Sequence, residues 1–128
     1  MKTKITLLSI LCFITINIFA QEIKDTKIVD KGFYVIIYSE FYKNPLRAEY
    51  KLYKPYHVVD RKGMSFKVEK GLKTATNKDF EGNSFDKGHC APFEDFSNDE
   101  EKARATFSYA NYAVQHFQLN RGAWRLLE

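Results

Sequence analysis

Cysteine is scarce: the 128-residue chain holds two, Cys12 in an apolar N-terminal run and Cys90 in the body of the sequence. If the N-terminal run is removed, Cys90 has no partner, and an internal disulfide is excluded. Stability must then come from packing, for which the aromatic residues, 16% of the chain, supply the material. No Cys/His spacing suits zinc, which argues against a structural zinc site. Internal repeats and low-complexity tracts are missing, and with them the solenoid architectures. No serine sits in a recognisable nucleophile turn, which argues against a triad hydrolase, and no base-reading motif is visible.

The N-terminus shows another absence, since no acidic residue interrupts the stretch from Ile5 to Phe19. Lys2 and Lys4 precede it, and Ala20 closes it before Gln21-Glu22. This order of charged, apolar and small residues is that of a secretory signal peptide over 1–20, cleaved after Ala20. Thr6, Ser9, Thr15 and Asn17 dilute the run below what a spanning helix needs, and the large Leu11 before Cys12 argues against a lipoprotein site. The expected protein is secreted or periplasmic, with no stable membrane association after cleavage. Residues 21–128 then form one domain of modest core, with 18 basic and 16 acidic residues. So small an excess permits a polyanionic substrate without demanding one.

Gly32 to Ser39, rich in aromatic and β-branched residues, predicts a buried strand. Beyond Lys43-Asn44-Pro45, Leu46, Ala48, Tyr50 and Leu52 alternate with polar neighbours, which predicts a second strand with one wet face. The two form an antiparallel hairpin. No periodicity persists from Pro55 to Asp79, a basic loop segment. Ser97-Asn98-Asp99-Glu100 has the form of a capping box opening a short helix that ends near Thr106. Phe107 to Ala110 reads as extended, and a second helix starts at Asn120 after an irregular stretch.

The densest group of reactive side chains is Asp86-Lys87-Gly88-His89, followed by Asp95, Asn111, Gln115, His116, Asn120 and Glu128. Imidazole, with an unperturbed pKa of about 6.5, is the side chain best suited to take a proton from water near neutral pH. Attack of water on a phosphodiester needs such a base, and a divalent cation to neutralise growing phosphate charge. Oxygen donors are few here. Magnesium tolerates this, because it keeps much of its water shell and accepts one or two protein ligands.

Phe85-Asp86-Lys87-Gly88-His89-Cys90-Ala91-Pro92 resembles the Asp-Arg-Gly-His-x-Ala-Pro signature of the sugar-non-specific DNA/RNA endonucleases. The resemblance continues through Asn111-x-x-x-Gln115, Asn120-x-Gly122-x-Trp124 and Leu127-Glu128, four ordered blocks over 80–128. It implies an α+β fold, a ββα-metal finger with an antiparallel sheet and packed helices. It also implies hydrolysis of DNA and RNA without sequence specificity, aided by magnesium, with manganese as a substitute. By the same resemblance His89 is the general base and Asn120 the direct magnesium ligand. Asn111 helps orient the base and the scissile phosphate, Glu128 holds metal-bound water, and Asp86 and Lys87 belong to the catalytic signature. Trp124 is expected to pack.

Several positions depart from that pattern. Lys87 stands for an arginine, keeping the charge but losing the planar fork. Cys90 replaces an apolar residue, and Val114 stands where proline is common. Arg61 is a candidate for an upstream phosphate-contacting arginine. The resemblance also runs off the chain at Glu128, so that a domain incomplete at its C-terminus is expected. The alternative reading is a truncated, catalytically impaired fragment that only binds nucleic acid.

Overall fold

The computed structural model describes residues 25–52 and 59–127; the expected signal peptide over 1–20 and Glu128 lie outside the described residues. Three antiparallel strands, β1 (Thr26–Asp30), β2 (Tyr34–Ser39) and β3 (Asn44–Tyr50), form one sheet in that order. The expected hairpin is β2–β3. Period-two alternation sends Tyr34, Ile36 and Tyr38 of β2 into the core, each at most 1% exposed.

On β3 the predicted alternation slips. Ile37 pairs with Arg47 but Tyr38 pairs with Pro45, so Leu46 is an extra residue at a bulge and is turned largely to solvent. Pro45, expected to break the run, is instead buried within the strand. β1 falls in a stretch with no strand signal in its sequence; its burial is partial, and Ile28 is exposed. Pairing with β2 along its whole length holds it in place.

The second sheet has two strands, β4 (Phe85–His89) and β5 (Tyr112–His116), antiparallel, with Lys87 opposite Val114 and His89 opposite Tyr112. β5 occupies what the sequence presents as irregular. Helix α1 (Glu100–Ala105) lies where a helix is expected, but its cap is Asp99 rather than Ser97: the Asp99 carboxylate accepts from the backbone N–H groups of Glu101 and Lys102. Ser97 closes the preceding 3₁₀ turn, Glu94–Phe96. Phe107 to Ala110 is not a strand. A single parallel bridge joins Ser108 to Lys67, and its hydrogen bonds, Lys67 N–H to Phe107 and Tyr109 N–H to Lys67, pin the basic loop to the body.

After β5 the chain turns directly into a helical segment made of Phe117–Leu119, Asn120–Trp124 and Arg125–Leu127. The regular α-turn expected between Asn120 and Trp124 is replaced by a π-helical turn, with Gly122 at φ −101 and ψ −107. Glycine, lacking Cβ, accommodates such a kink. Trp124, expected to pack, keeps 38% of its surface exposed.

One part of the core joins β2 to Ala91, Phe96 and Ala110. Two smaller clusters, around Tyr109 and Tyr112 and around Phe93, Ala103 and Phe107, share Phe66 at their margin. Among the described residues no helix is long and apolar enough to cross a membrane.

Candidate active site

β4 carries three of the expected site residues, and strand alternation divides them between two faces. Lys87 and His89 project to one side and Asp86 to the other, with Gly88 between.

On the first face the imidazole of His89 is 5% exposed. Phe66 and Phe107 enclose it, each ring centroid 4.8 Å away. Nε2 is buried with no hydrogen-bond partner among the described residues. Burial in this aromatic enclosure, helped by the nearby positive charge of Arg61, pushes the His89 pKa down to about 3, so the ring is neutral at physiological pH. Arg61 lies over Phe107 and Phe93, 5.2 and 5.7 Å from their centroids. The structure therefore brings Arg61 to the base through a shared aromatic neighbour.

Lys87 extends over Phe66, Phe80 and Tyr109 at 5.4 to 5.7 Å, and its ammonium donates to Asn77 Oδ1 at 2.6 Å. The Tyr109 hydroxyl donates to the same oxygen. Phe66 thus touches both the base and the cation. Neither Phe66 nor Asn77 carries a sequence signal of this role, because each reaches the site from a segment without periodicity.

On the opposite face Asp86 is gripped by Arg121, whose Nε and Nη2 donate to its two oxygens at 2.7 Å. Asn120 Nδ2 donates to Asp86 Oδ2 at 3.1 Å. The Arg121 hydrogen bonds, with Asn120 behind them, hold the Asp86 pKa below the usual carboxylate range against its partial burial. Arg121 occupies the unspecified position beside Asn120 in the sequence pattern; its complementarity to Asp86 was the available clue.

This geometry fits the proposed magnesium ligand. With its amide nitrogen committed to a carboxylate, Asn120 has its carbonyl oxygen left as an acceptor, polarised toward a cation. Asp86 also cancels the Arg121 charge, which would otherwise repel a divalent ion at Asn120. Among the described residues no group of three or more His, Cys, Asp or Glu could hold a metal.

Asn111 is held in the interior by backbone contacts. It is 0% exposed; its Nδ2 donates to the carbonyls of Ala91 and Thr106, and its Oδ1 accepts from Ala91 N–H, all at 2.9 Å. Cys90 N–H donates to the Asn111 backbone carbonyl. The residue clamps the chain just beyond His89 and so can orient the base, but its burial keeps it from touching a phosphate. Gly88 faces the Gln115 carboxamide, which fills the space a Cβ would need. Cys90 is largely enclosed, and desolvation raises its thiol pKa to about 11, in keeping with a packing role. Asp95 sits beside Tyr50, its pKa raised mainly by partial burial.

The structure thus assembles His89, Lys87, Phe66 and Arg61 on one side of β4, and Asp86, Asn120 and Arg121 on the other. Asp86 and His89 stand about 10 Å apart along the strand at ~3.3 Å per residue, with their side chains on opposite faces. The expected role of Glu128 falls outside the described residues.

A family model described as DNA/RNA non-specific endonuclease matches residues 15–128. The mitochondrial nuclease EXOG of Xenopus laevis is 33% identical over 73 residues, covering 55% of this chain and 20% of that protein. Among solved structures, one of the EndoG/EndoGI complex, described as showing the mechanism of EndoG inhibition, matches with a TM-score of 0.70 at 26% identity, covering 78% of this chain and 44% of the matched chain. The chain therefore spans about a fifth of the curated relative and under half of the solved one.

Proposed function

Because the chain belongs to the DNA/RNA non-specific endonuclease family and has the ββα-metal nuclease fold, we propose that it is a metal-dependent nuclease. It hydrolyses phosphodiester bonds of DNA and RNA without sequence specificity. The observation that carries this reading is a pair of groups organised by β4: a neutral, buried His89 with an unpartnered nitrogen on the strand, and Asn120 of the following helical segment, oriented by Asp86 of the strand. The unpartnered Nε2 is the atom that leaves the imidazole able to accept a proton.

In this reading water attacks phosphorus, the bond to the leaving oxygen breaks, and the imidazole of His89 accepts the proton released by the water. Asn120 is the residue that would hold magnesium, or manganese in its place, and the bound ion would neutralise charge on the phosphate oxygens and the leaving group. Asp86 and Arg121 fix Asn120. Asn111 holds the backbone that carries His89, and Arg61 and Lys87 supply positive charge toward a polyanionic backbone. Glu128 would hold a water in the shell of the bound ion. Export through a signal peptide over 1–20 places the activity in the periplasm or outside the cell.

The test is degradation of plasmid DNA and of RNA by the protein with magnesium, with chelator, and as His89→Ala. Cleavage that requires both metal and His89 supports the reading; cleavage indifferent to chelator overturns it.

A further inference from the structure

The face of β4 and β5 that carries Lys87 and His89 continues into a cleft of about 240 Å³. Tyr42, Phe80, Phe85 and Tyr112 supply its aromatic walls, with Lys43 and Asp79 as its charged groups. Tyr42 is 53% and Phe85 47% exposed, so both rings offer surface to a ligand in the cleft. Tyr112 is fully buried, and its hydroxyl has no partner among the described residues. Burial is the main cause that pushes the Tyr112 hydroxyl pKa up, with the neighbouring Tyr38 and Asp79 adding to it. Asp79 spends Oδ2 on the backbone and hydroxyl of Thr76. Lys43 holds a left-handed backbone conformation, φ 49, rare for a residue with a side chain.

We propose that this cleft is a subsite for one unpaired nucleobase of the substrate, a few nucleotides from the bond being cut. The proposal rests on the nucleic-acid reading above and adds to it a preference for unpaired strands. Aromatic rings beside a lysine are the means by which single strands are held without sequence readout: any base offers a π-face, and the cation meets the backbone. The position agrees, because Phe85 and His89 lie on the same face of β4, four residues and about 13 Å apart at ~3.3 Å per residue. The exposed Asp79 carboxylate provides a polar contact at the edge of a base. A paired base cannot enter, since its edge and both faces are already occupied in the duplex.

The experiment uses His89→Ala as a non-cleaving background and measures binding of two single-stranded DNA oligonucleotides, one complete and one abasic over several consecutive positions. In that background Phe85→Ala and Tyr42→Ala should each weaken binding of the complete oligonucleotide by about 5- to 150-fold, as loss of one stacked base implies. The abasic oligonucleotide should be affected by less than about twofold. Phe85→Leu and Tyr42→Leu, which keep bulk without a π-face, guard against a folding artefact and should show the same selective loss. Equal weakening of both oligonucleotides, or no weakening, overturns the subsite. With His89 intact, the substitutions should slow cleavage of single strands more than of duplex. Failure of metal-dependent cleavage alongside base-selective binding would sink the nuclease reading and leave the subsite standing.

Discussion

Asp86 and Arg121 meet through two hydrogen bonds of 2.7 Å, one to each carboxylate oxygen, which joins β4 to the helical segment that carries Asn120. Arg121 is largely exposed, so solvent screens the pair and its contribution to stability is small. Its value is positional. Asp86→Asn should therefore leave the melting temperature nearly unchanged while raising the magnesium concentration for half-maximal cleavage by roughly 10- to 100-fold, as disturbed outer-sphere partners do. A magnesium titration of the variant checks this; an unaltered midpoint would remove Asp86 from the metal's surroundings.

The buried imidazole makes stability depend on pH in a definite direction. The folded-state pKa of His89 is about 3, against 6.5 for the free side chain, so between these values the unfolded chain binds a proton that the folded chain refuses. The contribution of neutral His89 is complete above about pH 6.5 and is lost as pH falls toward 3, by about 1.4 kcal/mol per pH unit at most. Urea unfolding at pH 7.5, 5.5 and 4.5 should show this loss, and His89→Phe should flatten the part of it due to His89. The acid limb of kcat/KM should likewise lie below pH 6, lower than an exposed histidine base would give.

The β2–β3 hairpin was legible because both signals behind it are local: β-branched and aromatic residues over 32–39, and alternation after Lys43. α1 was legible for the same reason, to within two residues at its cap. β1 and β5 were not, because pairing across the sheet decides them: β1 is polar and half wet, and β5 is a five-residue stretch in which Val114 lies exposed, so no run of buried side chains marks it. In the site, His89, Asp86 and Asn120 were visible through linked motifs. Phe66, Asn77 and Arg121 were not, since their roles arise only when the 59–80 loop and the last helical segment fold against β4. Asn111 was found, but sequence could not distinguish a side chain facing substrate from one facing backbone.

Gly88 is a position of close approach between β4 and a side chain of β5. A methyl group at this position would fall well within contact distance of the Gln115 carboxamide. The neighbour is the end of a side chain, so Gly88→Ala should cost a moderate ~1–3 kcal/mol, typical of overpacking, rather than prevent folding. Gln115→Ala in the same chain should recover most of the loss. A double-mutant cycle by urea unfolding measures the coupling, and additive effects would show that Gln115 does not occupy the space.

Asn111 gives the sharpest separation between structure and catalysis. Its carboxamide makes three hydrogen bonds to backbone atoms of Ala91 and Thr106 with no exposure to solvent. Asn111→Ala would leave those backbone groups unsatisfied at ~1–3 kcal/mol for each one stranded, a large share of a typical domain's stability. Asn111→Asp would add a carboxylate facing two carbonyl oxygens and should be worse. If Asn111 acts by holding the backbone beside His89, activity should fall in step with the folded fraction, and the folded molecules that remain should show an unchanged KM for oligonucleotide. A residue touching the phosphate would instead raise KM in a variant that stays folded. Titrating activity against urea for wild type and Asn111→Ala, with KM measured at each concentration, decides between these two outcomes.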